Sequence, residues 1–288
     1  MSVAFRKLGL GGGGMKGVLH IGALQELSRH QKLYFPDGVY GCSIGAVIAT
    51  FVAFEIPLKK EIVSEYMRFD KVMGKPTFQQ VAKTFSSKGM FSMHLFEKTI
   101  IEMFEKEGLD MRNMTLGDAK MPLYIVSSNI TKGVPAIFSK KVRVLDALKC
   151  SCSIPGVFKP QELYGSLYVD GGLFVPCLSQ LVPDALVLFL AKKQNVSING
   201  TSIESMNPFD YMRALYSMST THIHKFHKSS TTLELEYPGL NTDSNLEEFD
   251  LDKVVDKAAA TLNNFLGAQG LLQKGPEGVG VGGPLHLK

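Results

Sequence analysis

Residues Gly41 to Gly45 read G-C-S-I-G and fit the pattern G-x-S-x-G, which places a serine between two glycines. They follow a short strand-like stretch, Val39-Tyr40, and lead into an apolar helical stretch that runs to about Glu55. The sharp turn at such a junction exposes the serine oxygen, and the glycines remove Cβ atoms that would clash. The amino terminus of a helix also favours the negative charge of a developing oxyanion. Ser43 is therefore a candidate nucleophile.

A glycine-rich loop, Gly12 to Gly17 (G-G-G-M-K-G), lies between a strand-like stretch that ends at Leu10 and a helical stretch. Its unhindered backbone N–H groups can hold a phosphate or an oxyanion. The region also fits G-x-G-x-x-G twice, which makes a dinucleotide site the rival interpretation. That site needs an acidic residue about 20 residues further on, but Asp37 stands in a turn before a strand. A P-loop is excluded because glycine follows Lys16.

The third candidate is Asp170, which follows a strand-like stretch, Leu167 to Val169, and precedes two glycines. An aspartate at a strand end lies at the rim where parallel sheets bind their ligands. Taken alone, Asp170 to Gly172 would be an ordinary turn.

In their order along the chain, the three motifs resemble the pattern of the patatin-like phospholipase family. That pattern is a G-G-G-x-[K/R]-G loop, then G-x-S-x-G, then D-G-[G/A]. The stretch from Lys149 to Phe158, ahead of the aspartate, is also similar to the family's. The resemblance covers roughly residues 4 to 190, and three ordered motifs are far more specific than any one of them.

The resemblance implies an α/β fold of the patatin-like kind, with three α/β/α layers around a central, mostly parallel sheet. It implies a Ser–Asp dyad without a histidine, in which Ser43 is the nucleophile and Asp170 is its base. The N–H groups of Gly12, Gly13 and Gly14 would form the oxyanion hole.

Two neighbours of these motifs are further candidates. The N–H of Ile44, the residue after the nucleophile, is expected to join the oxyanion hole. Lys16 would either orient the glycine loop or attract the phosphate of a substrate, the alternative being a solvated lysine in the first helical turn. Because a cation at a helix amino terminus is unfavourable, we assign Lys16 to substrate binding.

The sequence departs from the commonest family pattern at three positions. Cys42 stands where threonine is frequent, Ile44 where a small residue is usual, and Gly11 where an acidic or small polar residue is frequent. The departures leave the dyad intact and bear on substrate size and rate.

The predicted function is that of a lipid acyl hydrolase of the phospholipase A type, acting on phospholipids or acylglycerols through an acyl-enzyme. We expect no cofactor, no metal and no calcium requirement. Two alternatives remain: an acyltransferase on the same scaffold, and a non-catalytic lipid- or anion-binding module that uses the glycine loop.

Composition limits the partners. The 31 basic and 27 acidic residues give a formal charge of +4, which does not indicate nucleic-acid binding. The four cysteines form no C-x-x-C pair, and no continuous apolar run is long enough for a signal peptide or a membrane span. We expect an intracellular, cytoplasmic protein that docks peripherally on membranes, with its oligomeric state left open.

Alternating strand and helix patterns up to residue 190 predict an α/β domain, and the resemblance implies that residues 1–195 form the patatin-like catalytic domain. Residues 196–274 are predicted as a C-terminal α/β extension packed on that core. Residues 275–288, rich in glycine and proline, are predicted as a disordered tail.

Two other groups of residues carry weaker interpretations. His222 or His224 would complete a Ser–Asp–His order, and His224 with His227 would suit a metal, but a solvated basic helix face is favoured because Lys225 and Lys228 alternate with the histidines. A methionine- and phenylalanine-rich stretch would form either a lid over lipid or part of the core, and core packing is favoured. Its apolar residues are Phe85, Met90, Phe91, Met93, Leu95 and Phe96.

Overall fold

The computed structural model describes residues 5–61, 65, 68–72, 74, 77, 86, 88–191, 204, 206 and 208–271. The helices of this part are α1 (Val18–His30), α2 (Ile44–Ala53), α3 (Phe69–Val72), α4 (His94–Lys106), α5 (Val144–Cys152), α6 (Pro208–His227) and α7 (Leu251–Ala268). The strands are β1 (Leu8–Leu10), β2 (Val39–Cys42), β3 (Gly89–Phe91), β4 (Leu123–Asn129), β5 (Val134–Phe138), β6 (Gly156–Phe158), β7 (Gln161–Leu163), β8 (Ser166–Asp170), β9 (Leu186–Leu190) and β10 (Thr232–Leu235).

Eight of these strands form one sheet in the order β10-β9-β1-β2-β4-β8-β7, with β5 also paired to β4. The pairs from β10 through β4 are all parallel, whereas β5, β8 and β7 are joined antiparallel. Strand β9 is a continuous apolar run, and every one of its residues is buried, as expected for a strand covered on both faces. β3 and β6 form a separate parallel pair.

Helices and loops cover both faces of the sheet. One face packs in the large core with α1, α2, α5 and α7. The other face, which includes Val126 and Val187, packs against residues of the 175–182 segment. Helix α6 reaches this second face, where His224 stacks on Phe189. The expected three-layer α/β/α arrangement is confirmed.

The edges of β4 fix where the ends of two other strands meet. Val126 pairs with both Cys42 of β2 and Ile137 of β5, and the next residue, Ser127, pairs with both Ala136 of β5 and Asp170 of β8. A strand has only two edges, so β2 and β8 share the edge opposite β5. They run in opposite directions, so their carboxyl ends meet there head to head.

The main helices and strands lie where the sequence predicts them, within a few residues at each end. Three strands of three residues, β3, β6 and β7, were not predicted; the equally short β1 was recognised because the glycine-rich loop follows it. The predicted extension contributes β10, which pairs with β9 in the main sheet. The predicted tail over residues 275–288 lies outside the described residues.

In the methionine- and phenylalanine-rich stretch, Phe91, Met93 and Phe96 are buried in the core, as favoured, and Leu95 is exposed. Phe85 lies outside the described residues. Across the described ranges, no helix is both long enough and apolar enough to span a membrane.

Helices α1 and α7 pack closely at Gly22. A Cβ placed on Gly22 would lie 2.2 Å from the carbonyl oxygen of Val255 in α7. No side-chain rotation relieves a contact with backbone, so the glycine sets the distance between the two helices.

We predict that Gly22→Ala destabilises the protein by about 2 kcal/mol, because overpacking outweighs the roughly 1 kcal/mol by which alanine favours a helix. Ser28→Ala, at an exposed position of the same helix, should change stability by less than about 0.5 kcal/mol. Urea unfolding of both variants measures the difference, and a stabilised Gly22→Ala variant would contradict the packing.

Candidate active site

Ser43 forms a strained turn between β2 and α2. Its φ of 54° and ψ of −129° lie in a region that residues with a side chain rarely adopt. The turn is held because the Ser43 N–H donates to Ser151 Oγ at 2.9 Å, and that hydroxyl donates to the carbonyl of Val126 at 2.6 Å. Ser43 is buried, with 7% of its surface exposed, in the described part of the chain. This is the geometry expected of a nucleophile elbow.

The start of α2 packs directly on the end of β1. A Cβ on Gly45 would lie 2.0 Å from the carbonyl oxygen of Leu10 and 2.6 Å from that of Gly11. Only glycine fits at position 45, and its small size brings the turn at Ser43 against the chain that leads into the glycine loop.

The glycine loop passes over the serine. A Cβ on Gly12 would lie 3.0 Å from Ser43 Cβ and 3.8 Å from its Oγ. Gly14 has a φ of +56°, and the Met15 N–H donates to the carbonyl of Thr242 at 2.9 Å. The loop therefore contacts the nucleophile at one end and the segment before α7 at the other.

His20 fixes the first peptide of the loop. The ring is fully buried, and its Nε2 lies 2.9 Å from the carbonyl oxygen of Gly11. Burial lowers the pKa of His20 to about 4, an effect that the positive charge of Lys16 adds to and the bond to Gly11 opposes. The ring is therefore neutral at pH 7 and donates its Nε2 proton to Gly11. This bond orients the peptide whose N–H belongs to Gly12.

Lys16 is only 3% exposed, which rules out a solvated lysine. Its Nζ donates to the carbonyl oxygen of Ala191 at 2.8 Å and lies 3.4 Å from that of Leu190. These two residues end the strand that neighbours β1. The ammonium group is thus bound to backbone beneath the glycine loop, and a role in contacting substrate stays a prediction.

Asp170 ends β8 at the point where β2 ends. Its Oδ1 accepts a hydrogen bond from the Gly172 N–H at 2.8 Å, and its carbonyl accepts one from Ser128 Oγ at 2.9 Å. A Cβ on Gly171 would lie 2.9 Å from Cys42 Sγ, which shows how closely the two strand ends approach. The structure thus brings Ser43, Asp170 and the glycine loop to one place.

Two neutral groups surround the aspartate. Burial raises the pKa of Cys152 well above its ordinary value, and the charge of Asp170 raises it further. Burial, then the charge of Asp170, likewise raises the pKa of Tyr216 on α6. Both side chains are therefore protonated at neutral pH, and Asp170 is the ionisable carboxyl group among them.

The histidines of α6 are arranged differently from the favoured interpretation. His224 is buried, not solvated: it stacks on Phe189 at 3.6 Å, and its Nε2 lies 3.2 Å from Glu234 Oε1. Burial lowers its pKa. His222 and His227 are exposed. Among the residues that the structure describes, no group of three potential metal ligands was found.

Sequence reasoning missed three residues of the site. Long-range packing brings Ser151 and Tyr216 to it, whereas His20 follows Gly11 by nine residues in the same loop-to-helix segment. His20 stands four residues after Lys16 in the loop-to-helix segment, and that helical spacing was the only available signal. Ser151 lies in the stretch from Lys149 to Phe158 that resembles the family's, but nothing in the sequence shows that its hydroxyl contacts Ser43, and nothing links Tyr216 to the site.

The arrangement provides the parts of a two-step acyl transfer. It has a hydroxyl at a strained turn, a carboxylate at the adjoining strand end, and backbone N–H groups in a loop over the hydroxyl. No cationic or redox group is needed for such chemistry.

A family model described as patatin-like phospholipase matches residues 8–179. The neuropathy target esterase sws of Drosophila grimshawi is 30% identical over 167 residues, which cover 57% of this chain and 10% of that protein. The lysophospholipase NTE1 of Cryptococcus neoformans is 29% identical over 164 residues, which cover 57% of this chain and 9% of that protein. The match is thus confined to about a tenth of either relative.

Among solved structures, VipD from Legionella pneumophila superposes with a TM-score of 0.56 at 15% sequence identity. The superposition covers 92% of this chain and 67% of that chain. At this identity the likeness shows a shared fold.

We predict that His20 makes stability fall at acid pH. The unfolded chain binds a proton on this histidine below about pH 6.5 and the folded chain only near pH 4, so stability present above pH 6.5 is lost as the pH falls between them. From pH 7 to pH 5 the wild type should lose about 2 kcal/mol more than His20→Gln, whose amide can still donate to Gly11.

Denaturant unfolding at the two pH values measures this difference. His94→Gln, which replaces an exposed histidine of α4, is the matched control and should follow the wild type. An equal loss of stability in the wild type and in His20→Gln would contradict a buried neutral His20.

Proposed function

Since the chain belongs to the patatin-like phospholipase family, as its motifs predicted, we propose that it is a lipid acyl hydrolase with a Ser43–Asp170 dyad. The observation that carries this proposal is the meeting of β2 and β8 on one edge of β4, which sets Asp170 beside the turn of Ser43. The substrates are phospholipids, lysophospholipids or acylglycerols. The two relatives, which are named as an esterase and a lysophospholipase, support this class.

In the first step, Ser43 Oγ bonds to the ester carbonyl carbon and its proton passes to Asp170. The carbonyl oxygen becomes an oxyanion, which accepts hydrogen bonds from the N–H groups of the Gly12–Gly14 loop and of Ile44. When the intermediate collapses, the bond to the alcohol breaks and the alcohol leaves with the proton from Asp170. An acyl group is left on Ser43.

In the second step, water replaces the alcohol. The water oxygen attacks the acyl carbon while Asp170 takes a proton from the water. The loop again holds the oxyanion. Collapse breaks the bond to Ser43, whose oxygen regains the proton, and the fatty acid is released. Neither step needs a metal ion, so the reaction is calcium-independent.

Acyl transfer is the second candidate, because an alcohol or lysolipid that enters in place of water would take the acyl group by the same steps. A non-catalytic lipid- or anion-binding module is the remaining alternative. It differs from both in predicting binding without release of fatty acid.

Contact with a lipid surface is part of the proposal, and the sheet offers a place for it. β4 continues beyond Val126 by three residues, roughly 10 Å past the site, before it turns into β5. The turn between β7 and β8 lies at the same end, since the Ile130 N–H donates to the carbonyl of Leu167 at 2.9 Å. These two turns and their strands carry five exposed apolar side chains: Ile130, Val134, Ile137, Tyr164 and Leu167.

We call these five residues the apolar arm. Lys132 in the first turn and Lys159 before β7 are exposed beside it, against one exposed acid, Glu162. Apolar side chains with flanking lysines suit an anionic lipid surface, where each lysine contributes about 1 kcal/mol. The arm projects from the end of the sheet at which β2 finishes and Ser43 lies. Docking there would therefore bring lipid to the site.

For the dyad, we expect Ser43→Ala and Asp170→Asn each to lower fatty-acid release from phospholipid vesicles by at least about 10³-fold, because each removes a group used in both steps. Ser139→Ala and Asp184→Asn, at exposed positions, are the matched controls and should keep full activity. A chelator should have no effect.

Folded Ser43→Ala or Asp170→Asn protein with wild-type activity would contradict the dyad. Product analysis with added lysolipid separates transfer from hydrolysis. A folded wild type that binds vesicles and releases no fatty acid from any of the three lipid classes would favour the binding module.

For the apolar arm, we expect the double change Tyr164→Ser with Leu167→Ser to weaken binding to phosphatidylserine-containing vesicles by about 10-fold or more, since two buried contacts with lipid are lost. Tyr34→Ser is the control, because Tyr34 is an exposed tyrosine that precedes β2 and so lies at the other end of the strands from the arm. Vesicle cosedimentation measures binding, and hydrolysis of a short soluble ester should be unchanged in both variants. Equal binding by both would exclude the arm.

A further inference from the structure

Helix α6 brings a phenol to the candidate base from outside the family domain. The family model ends at residue 179, whereas α6 spans Pro208–His227. Within α6, Tyr216, Thr220 and His224 are spaced by four residues and so share one face. His224 of this face stacks on Phe189 of β9, which anchors the helix to the second face of the sheet.

Tyr216 reaches Asp170 at the turn of Gly172. A Cβ placed on Gly172 would lie 3.1 Å from Asp170 Oδ1 and 3.2 Å from Tyr216 Oη. Both oxygens therefore lie against the same side of that residue. The two groups also interact electrostatically, because the charge of Asp170 adds to burial in raising the pKa of Tyr216.

A carboxylate in this position needs donors. Asp170 is buried, and an ionised carboxylate can accept about four hydrogen bonds. The Gly172 N–H supplies one of them, to Oδ1. Cys152 and Tyr216 lie close enough to Asp170 for its charge to raise the pKa of each, and Cys42 Sγ lies 2.9 Å from the Cβ position of the next residue, Gly171. A phenol that stays protonated at neutral pH is a stronger donor than a thiol.

We infer that Tyr216 is a positioning residue for the reaction: its hydroxyl donates to Asp170 and keeps that carboxyl group ionised and aimed at Ser43. This inference rests on the proposed hydrolase function and adds a residue to it. It also gives the C-terminal extension a part in the site, because helix α6 supplies the donor. His224 of the same helix, considered above as a partner of the dyad, stacks on Phe189 and lies beside Glu234 instead.

The consequence is a shift in pH dependence. A donor to the ionised carboxylate lowers its pKa, so removing the donor raises the pKa, and the base is then protonated at a higher pH. Tyr216→Phe keeps the ring and removes only the hydroxyl. We expect the acidic limb of kcat/KM against pH to move up by about one pH unit, with less than a tenfold loss on the alkaline plateau. At a pH below the limb, activity should fall about tenfold.

The matched control is Tyr211→Phe, on the same helix, whose profile should follow the wild type. Fatty-acid release by the wild type and by Ser43→Ala is measured first, so that a failure of the hydrolase proposal is seen before the tyrosine is tested. If the wild type is active and depends on Ser43, an acidic limb unchanged or lowered in Tyr216→Phe would overturn the inference. A loss of activity that is equal at every pH would overturn it too.

A second measurement covers the case in which Tyr216→Phe does not fold. Site-specific replacement of Tyr216 by 3-fluorotyrosine keeps the ring and makes the hydroxyl a stronger donor. The acidic limb should then move to lower pH, opposite to the shift in Tyr216→Phe. No movement in this variant would likewise overturn the inference.

Discussion

The strained turn at Ser43 is the constraint on which the site depends. A backbone in this region costs about 1–3 kcal/mol for a residue with a side chain, and it persists only where the surroundings enforce it. Here α2 enforces this conformation, because all ten of its residues are buried and moving any of them out of the core would raise the free energy of the folded state. The close contact of Gly45 with the carbonyl of Leu10 then fixes the position of the helix relative to β1. Ser43 is thus placed by the core of the protein.

Strand β4 fixes the position of Asp170, the proposed base. It is longer than its neighbours, and on one edge it pairs first with β2 and then with β8, in opposite directions. A slip of one residue in the second pairing would turn Asp170 to the other face of the sheet. Ser127 and Ser128 oppose such a slip, because their hydroxyls donate to the carbonyls of Val169 and Asp170. The register of one strand therefore determines which carboxyl group stands beside the serine.

The sequence was informative wherever the site consists of short, local motifs. The elbow, the glycine loop and the aspartate turn each need glycines at fixed positions, and that need is visible without knowledge of the fold. The α/β sheet was predictable because strand-like stretches alternate with helical ones up to residue 190. Contacts between distant segments were not predictable: Ser151 against the turn of Ser43 and Tyr216 near Asp170 both depend on how helices pack. His224 was misjudged for the same reason, since its sequence neighbours are lysines but its spatial neighbour is Phe189.

The ionisable side chains buried around the site influence one another's charge, and Asp170 is the acidic group beside Ser43. Lys16 is bound to the carbonyls that end β9, and its charge helps to keep His20 neutral. A neutral His20 can still donate to Gly11, so it orients the loop without adding a second cation beneath it. On the other side, Cys152 and Tyr216 are kept protonated by burial and by Asp170 itself. In a region of low dielectric, a second anion there would compete with the oxyanion for the same donors. With Cys152 and Tyr216 uncharged, Asp170 is the acidic group among the three that is left to exchange a proton with Ser43 in the proposed mechanism.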